Sequence, residues 1–68
     1  MKKVLAKDLK VGDVVYDTPF DKIKFSVEKI SGSILFLREI TETNLYIKNK
    51  DGYVMFNYGY TIWYMEED

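Results

Sequence analysis

The sequence contains no cysteine and no histidine. The chain therefore forms no disulfide, and it has no thiol nucleophile, no histidine acid or base and none of the usual nitrogen and sulfur ligands of zinc. An enzyme built from the remaining side chains would depend on carboxylate pairs, lysine, tyrosine or serine. No glycine-rich phosphate loop accompanies them, since "SGS" at residues 31–33 forms one turn only. We expect a protein that is not an enzyme and that uses neither a cofactor nor a metal.

Three carboxylates, Asp13, Asp17 and Asp21, recur at every fourth residue. On a helix they would share one face, as an acid pair or a metal site requires. Gly12 and Pro19 interrupt this stretch and disfavour a helix. The spacing is better explained by turns, in which aspartate side chains accept hydrogen bonds from nearby backbone N–H groups.

Arginine is also nearly absent, because Arg38 is the only arginine among ten basic residues. With a net charge of −1, the chain does not have the basic profile of a protein that wraps nucleic acid by neutralising phosphates. No apolar run approaches the roughly 20 residues of a membrane-spanning helix. Lys7 and Asp8 interrupt the apolar start that a signal peptide would need. We expect a cytoplasmic protein that does not bind a membrane.

The sequence has a series of short β-strand patterns separated by turns. Residues 23–30 alternate apolar and polar side chains, as a half-buried strand does. Residues 34–37 are apolar on both faces, which is typical of a central strand. Gly32 and the Asp51–Gly52 pair mark tight turns. The further predicted strands are residues 14–16, 45–48, 53–56 and 61–65, with a bulge at Lys29–Ile30 and either a helical turn or an edge strand near the N-terminus.

Five or six such strands, with turns about 8 to 12 residues apart, predict one small all-β domain over residues 1–68. The stretch "DLKVGDVVY" at residues 8–16 carries an L-x-V-G-D-x-V pattern. It resembles the opening of Src-homology-3-like barrels, and the segments "FSVEKI" and "ILFLREI" follow in the order that such barrels use. The resemblance covers residues 8–40 and implies an antiparallel barrel. The size and composition also resemble those of small phage or mobile-element proteins.

Aromatic residues are concentrated near the C-terminal end, where six of the eleven lie within residues 53–64. Strand alternation divides them into an inward and an outward set. The predicted inward residues are Val54, Phe56, Ile62 and Tyr64, and the predicted outward residues are Tyr58, Tyr60 and Trp63. In residues 45–48, Leu45 and Ile47 are predicted to face inward, and Tyr46 and Lys48 outward.

Exposed rings of this kind are typical of protein interfaces, where tyrosine, tryptophan and arginine dominate binding energy. We expect a protein-binding module, acting on a partner protein or on a second copy through the last strand. In a phage setting it would inhibit a host protein. The predicted partner-binding residues are Tyr46, Lys48, Lys50, Tyr58, Tyr60, Trp63 and Arg38, in which the charged members fix the orientation of the partner.

Two other interpretations of the rings stay open. A single-stranded nucleic-acid-binding barrel would stack bases on Tyr46 and Tyr53 and hold phosphates with Lys48 and Lys50. The carboxylates of residues 66–68 oppose this, because they would repel phosphate. In the remaining interpretation, the rings complete the core of a closed barrel and form no binding surface.

Overall fold

A computed structural model of the protein describes residues 1–20, 22–59 and 61–67. Within these residues the chain forms six strands and one 3-10 turn at Ala6–Asp8. The strands are β1 (Lys2–Leu5), β2 (Val14–Tyr16), β3 (Lys24–Ser31), β4 (Ile34–Glu39), β5 (Val54–Asn57) and β6 (Ile62–Met65). They make one antiparallel sheet in the order β1-β6-β2-β3-β4-β5. The predicted all-β class is confirmed, and the Src-homology-3-like resemblance stays a prediction.

The β3–β4 hairpin forms the middle of the sheet. Phe25 and Val27 are fully buried on the inner face of β3, as the alternation predicts. The register against β4 shifts between Val27 and Lys29, so the bulge lies beside its predicted position. Gly32 has a φ of 60°, a conformation that costs glycine little. This confirms the predicted tight turn.

The N-terminal segment combines both predicted possibilities, since an edge strand leads directly into the 3-10 turn. Leu9 then enters the core, where only 3% of its surface is exposed. Gly12, at a φ of 98°, turns the chain and donates its N–H to the carbonyl of Val27 at 2.8 Å. Val27 returns a hydrogen bond of 2.8 Å to the carbonyl of Asp13. The L-x-V-G-D pattern thus has a local function: it ties the first turn to β3.

Two of the three spaced aspartates stabilise turns, as predicted. Asp13 accepts a hydrogen bond from the N–H of Lys10 at 2.8 Å. Asp17 accepts one from the N–H of Ile23 at 3.2 Å and so closes the loop between β2 and β3. Asp21 lies outside the described residues.

The predicted orientation of the last strand is wrong by one residue. Trp63 is buried, with 3% of its surface exposed, and Ile62 is 48% exposed. The strand pairs Val4 with Trp63 and Leu5 with Ile62, and Val4 packs against the core. This pairing sets the register, because a slip of one residue would exchange the two faces of β6.

The predicted strand at residues 45–48 is also wrong. The described backbone there is irregular, and Leu45 and Ile47 are 75% and 94% exposed. Tyr46 is instead the residue that packs against the core. Residues 49–52 do form the predicted turn, with Gly52 at a φ of 86°, but β5 pairs with β4 and not with residues 45–48.

Four aromatic rings fill the inner face of the sheet, and we call them the aromatic cluster: Phe25, Tyr46, Phe56 and Trp63. The ring of Phe25 lies edge to face with those of Tyr46 and Trp63, at centroid distances of 5.2 and 5.5 Å. Edge-to-face packing of this kind stabilises beyond the area that it buries. Much of the aromatic content of this short chain is therefore core.

Candidate interaction surfaces

The residues predicted to bind a partner do not form one exposed surface. Tyr46 and Trp63 belong to the aromatic cluster, and Tyr60 lies outside the described residues. Tyr58 is half-buried and packs against the core. Its hydroxyl donates a hydrogen bond of 2.7 Å to the carbonyl of Lys7, which joins the β5–β6 connection to the 3-10 turn. In this position Tyr58 stabilises the fold.

Tyr46 is fixed at both ends of its side chain. Its ring packs within the aromatic cluster, and its hydroxyl donates to a carboxylate oxygen of Asp17 at 3.1 Å. Burial raises the pKa of Tyr46, and the hydrogen bond to Asp17, with the negative charges of Asp17 and Glu39, raises it further. This tyrosine holds the β4–β5 connection against the β2–β3 loop.

Lys48 supports the same connection through the buried carboxylate of Glu39. Its ammonium lies 3.1 Å from Glu39 Oε1. The other carboxylate oxygen accepts hydrogen bonds from the backbone N–H of Thr43 and the hydroxyl of Thr41. Burial alone would raise the pKa of Glu39, but hydrogen bonds from Thr43, Lys48 and Thr41 together lower it to about 2. Lys50, which is exposed like Lys48, lies in the turn at residues 49–52.

Arg38 is also exposed, and it lies among aromatic side chains on the outer face of the sheet. Its guanidinium lies over the ring of Tyr53, with 4.9 Å between Cζ and the ring centroid. The Tyr53 ring in turn meets Phe36 edge to face at 5.7 Å. Phe36 is the cross-strand partner of Met55, which is 51% exposed. We call this group, on the outer side of β3, β4 and β5, the Phe36 face: Lys29, Phe36, Arg38, Tyr53 and Met55.

The cations of the Phe36 face cover its rings. The ammonium of Lys29 lies 5.2 Å from the centroid of Phe36, an arrangement equivalent to that of Arg38 over Tyr53. Glu28 holds Arg38 in place by an ion pair of 3.4 Å. Contacts between a cation and a ring face are weakly favourable where solvent reaches them. The result is an ordered surface of two rings, one thioether and two cations, of which Arg38 is ion-paired with Glu28.

Strand alternation explains the Phe36 face, although residues 34–37 are apolar on both faces and the sequence alone does not show which face is the outer one. Leu35 and Leu37 are fully buried, so Phe36 between them must point to the opposite side of β4. The alternation of β5 correctly places Val54 and Phe56 inward, which leaves Met55 outside. The aromatic density of the C-terminal strand instead includes Trp63, which is part of the core.

A concave surface lies where β2, β3 and β6 meet. A cleft of about 350 Å³ is bordered by Asp13, Tyr16, Lys24 and Glu66, among others. The hydroxyl of Tyr16 donates to Glu66 Oε1 at 3.0 Å, and the ammonium of Lys24 lies 5.9 Å from the centroid of the Tyr16 ring. Aromatic, cationic and carboxylate groups already contact one another here, so the cleft holds a network internal to the chain.

Among the described residues, no group of three or more carboxylates is placed to hold a metal ion. The same residues include no helix with the length and apolar character needed to cross a bilayer. Comparison of the chain with protein families, with curated proteins and with solved structures finds no match. Functional inference therefore depends on the surfaces described above.

Proposed function

We propose that the protein is a non-enzymatic binding module that recognises a partner protein through the Phe36 face. The observation that carries this proposal is the composition of that face: the one arginine of the chain lies beside a tyrosine, a phenylalanine and a methionine on two paired strands. Aromatic residues, methionine and arginine are the types enriched where proteins bind one another. The module would act by occupying the surface of its partner, as an inhibitor of a host protein does.

The order of the face favours recognition by burial. Phe36 and Tyr53 are half-buried, and their neighbours already restrict their side chains, so little conformational entropy remains to be lost when a partner covers them. Arg38 and Lys29 would fix the orientation of a partner that carries carboxylates. The complementary surface of a partner protein would have an apolar centre and would carry acidic groups, alone or together with basic ones.

Single-stranded nucleic acid is the alternative that the same residues raise. Bases stack on the faces of rings, but Lys29 and Arg38 cover the faces of Phe36 and Tyr53 from the solvent side. Arg38 is also paired with a carboxylate, and the chain carries a net charge of −1. These features favour a protein partner over a nucleic acid.

The proposal can be tested with two cross-strand pairs that serve as variant and control. Phe36→Thr/Met55→Thr removes the apolar centre of the face, and Leu5→Thr/Ile62→Thr changes an exposed pair on β1 and β6, at the opposite end of the strand order. Met55 and Ile62 are exposed to 51% and 48%, and threonine keeps the strand propensity of both sites. Circular dichroism would first establish that both variants fold.

Affinity capture from the cells that make the protein should recover the same proteins with the wild type and with the Leu5/Ile62 control. The Phe36/Met55 variant should lose them. If it recovers them undiminished, the Phe36 face is not the binding site. A titration with single-stranded DNA and RNA tests the alternative, and tight binding that weakens steeply with salt would replace the protein-partner proposal.

A further inference from the structure

Two long connections meet at one end of the sheet. Residues 17–23 join β2 to β3, and residues 40–53 join β4 to β5. Both leave from the same end, because β3 runs antiparallel to β2 and to β4. Ile40 donates its N–H to the carbonyl of Lys24 at 2.7 Å, and the bond between Tyr46 and Asp17 links the two connections farther out.

At this end of the sheet, several large apolar side chains are exposed to water. Ile47 is 94% exposed, Phe20 is 76% exposed and Leu45 is 75% exposed, while Ile40 is about half-exposed at 46%. Single exposed apolar residues are ordinary on protein surfaces, but several at one place mark an interaction site. We call these four residues the loop-end patch.

The longer connection is held in a defined shape. Glu39 anchors its start through Thr41, Thr43 and Lys48. At its other end the side chain of Asn49 accepts hydrogen bonds from the N–H groups of Asp51 and Tyr53, both at 2.9 Å. Tyr46, in the middle, is fixed in the core. The exposure of Leu45 and Ile47 on either side of Tyr46 is therefore built into the fold.

The charges beside the patch are of both signs. Glu42, Lys50 and Asp51 are exposed, and no ion pair joins any of them to another described residue. Along the chain, Glu42 precedes and Lys50 follows the segment that carries Leu45 and Ile47. If two copies were related by a two-fold axis through this segment, the segment of one copy would run antiparallel to the same segment of the other. Glu42 of each copy would then approach Lys50 of the other.

We propose that the loop-end patch is the interface through which a second copy of this chain binds. Opposite charges at the two ends of an apolar segment make that segment complementary to a second copy that lies antiparallel to it, whereas an anionic membrane would require cations alone. Self-association also suits a chain of 68 residues without disulfides. The last strand cannot provide the interface by strand pairing, because β6 already pairs with β1 on one side and β2 on the other.

Four side chains and a few charges form a small interface, below the roughly 800 Å² per partner of a stable complex. The dimer should therefore dissociate on dilution, with a dissociation constant on the order of tens of micromolar. Sedimentation velocity from about 5 to 500 μM would follow the wild type across this range. We expect monomer at the lowest concentration and mainly dimer at the highest.

Leu45→Ser/Ile47→Ser should remain monomeric throughout this range. Leu5→Ser/Ile62→Ser is its matched control, since it makes the same two substitutions at exposed sites on the strand pair β1 and β6 and should dimerise as the wild type does. Phe36→Thr/Met55→Thr should also dimerise normally. The experiments can therefore disprove the dimer interface without disproving the proposed partner-binding face, and the reverse is also true.

A charge reversal tests the two-fold arrangement itself. Lys50→Glu brings a new carboxylate of one copy toward the carboxylate of Glu42 in the other, and it should raise the dissociation constant at least about threefold. Glu42→Lys/Lys50→Glu restores opposite charges across the axis and should return the constant close to that of the wild type. A wild type that stays monomeric at about 500 μM, a dimer that persists in Leu45→Ser/Ile47→Ser, or a double reversal without rescue would each overturn the proposal.

Discussion

The rings of Phe56 and Trp63 lie edge to face with their centroids 4.8 Å apart, although three strands stand between β5 and β6 in the sheet order. In a flat sheet the two strands would be about 19 Å apart, at roughly 4.8 Å per strand. The sheet therefore curls until its outer parts meet over Phe25. Curling encloses a core that a flat sheet of this size could not form.

The single tryptophan of the chain provides a direct check on this core. Trp63 is 3% exposed, and its indole N–H donates to the hydroxyl of Thr61 at 2.8 Å. We predict short-wavelength fluorescence emission and strong protection from acrylamide quenching in the native protein, both lost on unfolding in urea. Emission and quenching like those of free tryptophan under native conditions would contradict the burial.

Removal of a ring from the aromatic cluster should cost far more stability than removal of one from the outer face. Phe56→Ala should lower the free energy of unfolding by about 2 to 4 kcal/mol, because its neighbours cannot fully close the cavity. Phe36→Ala, on the solvent side, should lower it by about 1 kcal/mol. Urea unfolding monitored by Trp63 fluorescence gives both values, and Phe56→Leu keeps the comparison measurable if the alanine variant does not fold. Equal losses at the two sites would contradict the assigned faces.

The parts of the fold that sequence predicted correctly are those specified by nearby residues. In β3 one face is apolar and the other polar, so alternation alone places Phe25 and Val27 inside. Gly32 fixes the hairpin turn by its backbone freedom. In β6 both faces are apolar or aromatic, so alternation cannot distinguish them. The pairing of Val4 with Trp63 determines which face of β6 points toward the core, and that contact joins residues nearly sixty positions apart.

Residues 45–48 show the same limit with consequences for the candidate site. The alternation of Leu45 and Ile47 with Tyr46 is typical of a strand, but the core admits Tyr46 because Phe25, Phe56 and Asp17 are there to receive it. No local pattern contains that information. Arg38 is exposed on the face of β4 opposite the buried Leu35 and Leu37, and its predicted role in binding a partner stays a prediction.

The pKa of Glu39 makes stability depend on acidity in a defined range. Its carboxyl has a pKa of about 2 in the folded protein, against 4.5 without the fold. A group whose pKa is lowered by folding stabilises the protein fully above the unfolded value and loses that effect as the pH falls toward the folded value. The contribution of Glu39 should therefore be complete above about pH 4.5 and disappear between about pH 4.5 and 2.

Glu39→Gln tests that assignment. It should lower the free energy of unfolding by about 1 to 3 kcal/mol at neutral pH, since the ammonium of Lys48 loses its charged partner. It should also remove much of the decline in stability between about pH 4.5 and 2. Glu28→Gln, which affects an exposed ion pair with Arg38 and an exposed hydrogen bond from Ser26, should cost less than about 1 kcal/mol and keep the decline. An unchanged acid profile in Glu39→Gln would show that other carboxylates control it.

Gly52 connects the stability of the turn with the Phe36 face. Its φ of 86° is strained for any side chain, and a Cβ there would lie 3.2 Å from Nη1 of Arg38. Gly52→Ala should therefore lower the free energy of unfolding by about 1 to 2 kcal/mol and displace the guanidinium from the Tyr53 ring. Gly59→Ala is the control, because a Cβ there meets nothing closer than 3.8 Å.

If the Phe36 face binds a partner, Gly52→Ala should weaken the capture of that partner at a temperature where both variants are folded, and Gly59→Ala should leave capture unchanged. Equal stability and equal capture in the two variants would contradict this position for Arg38.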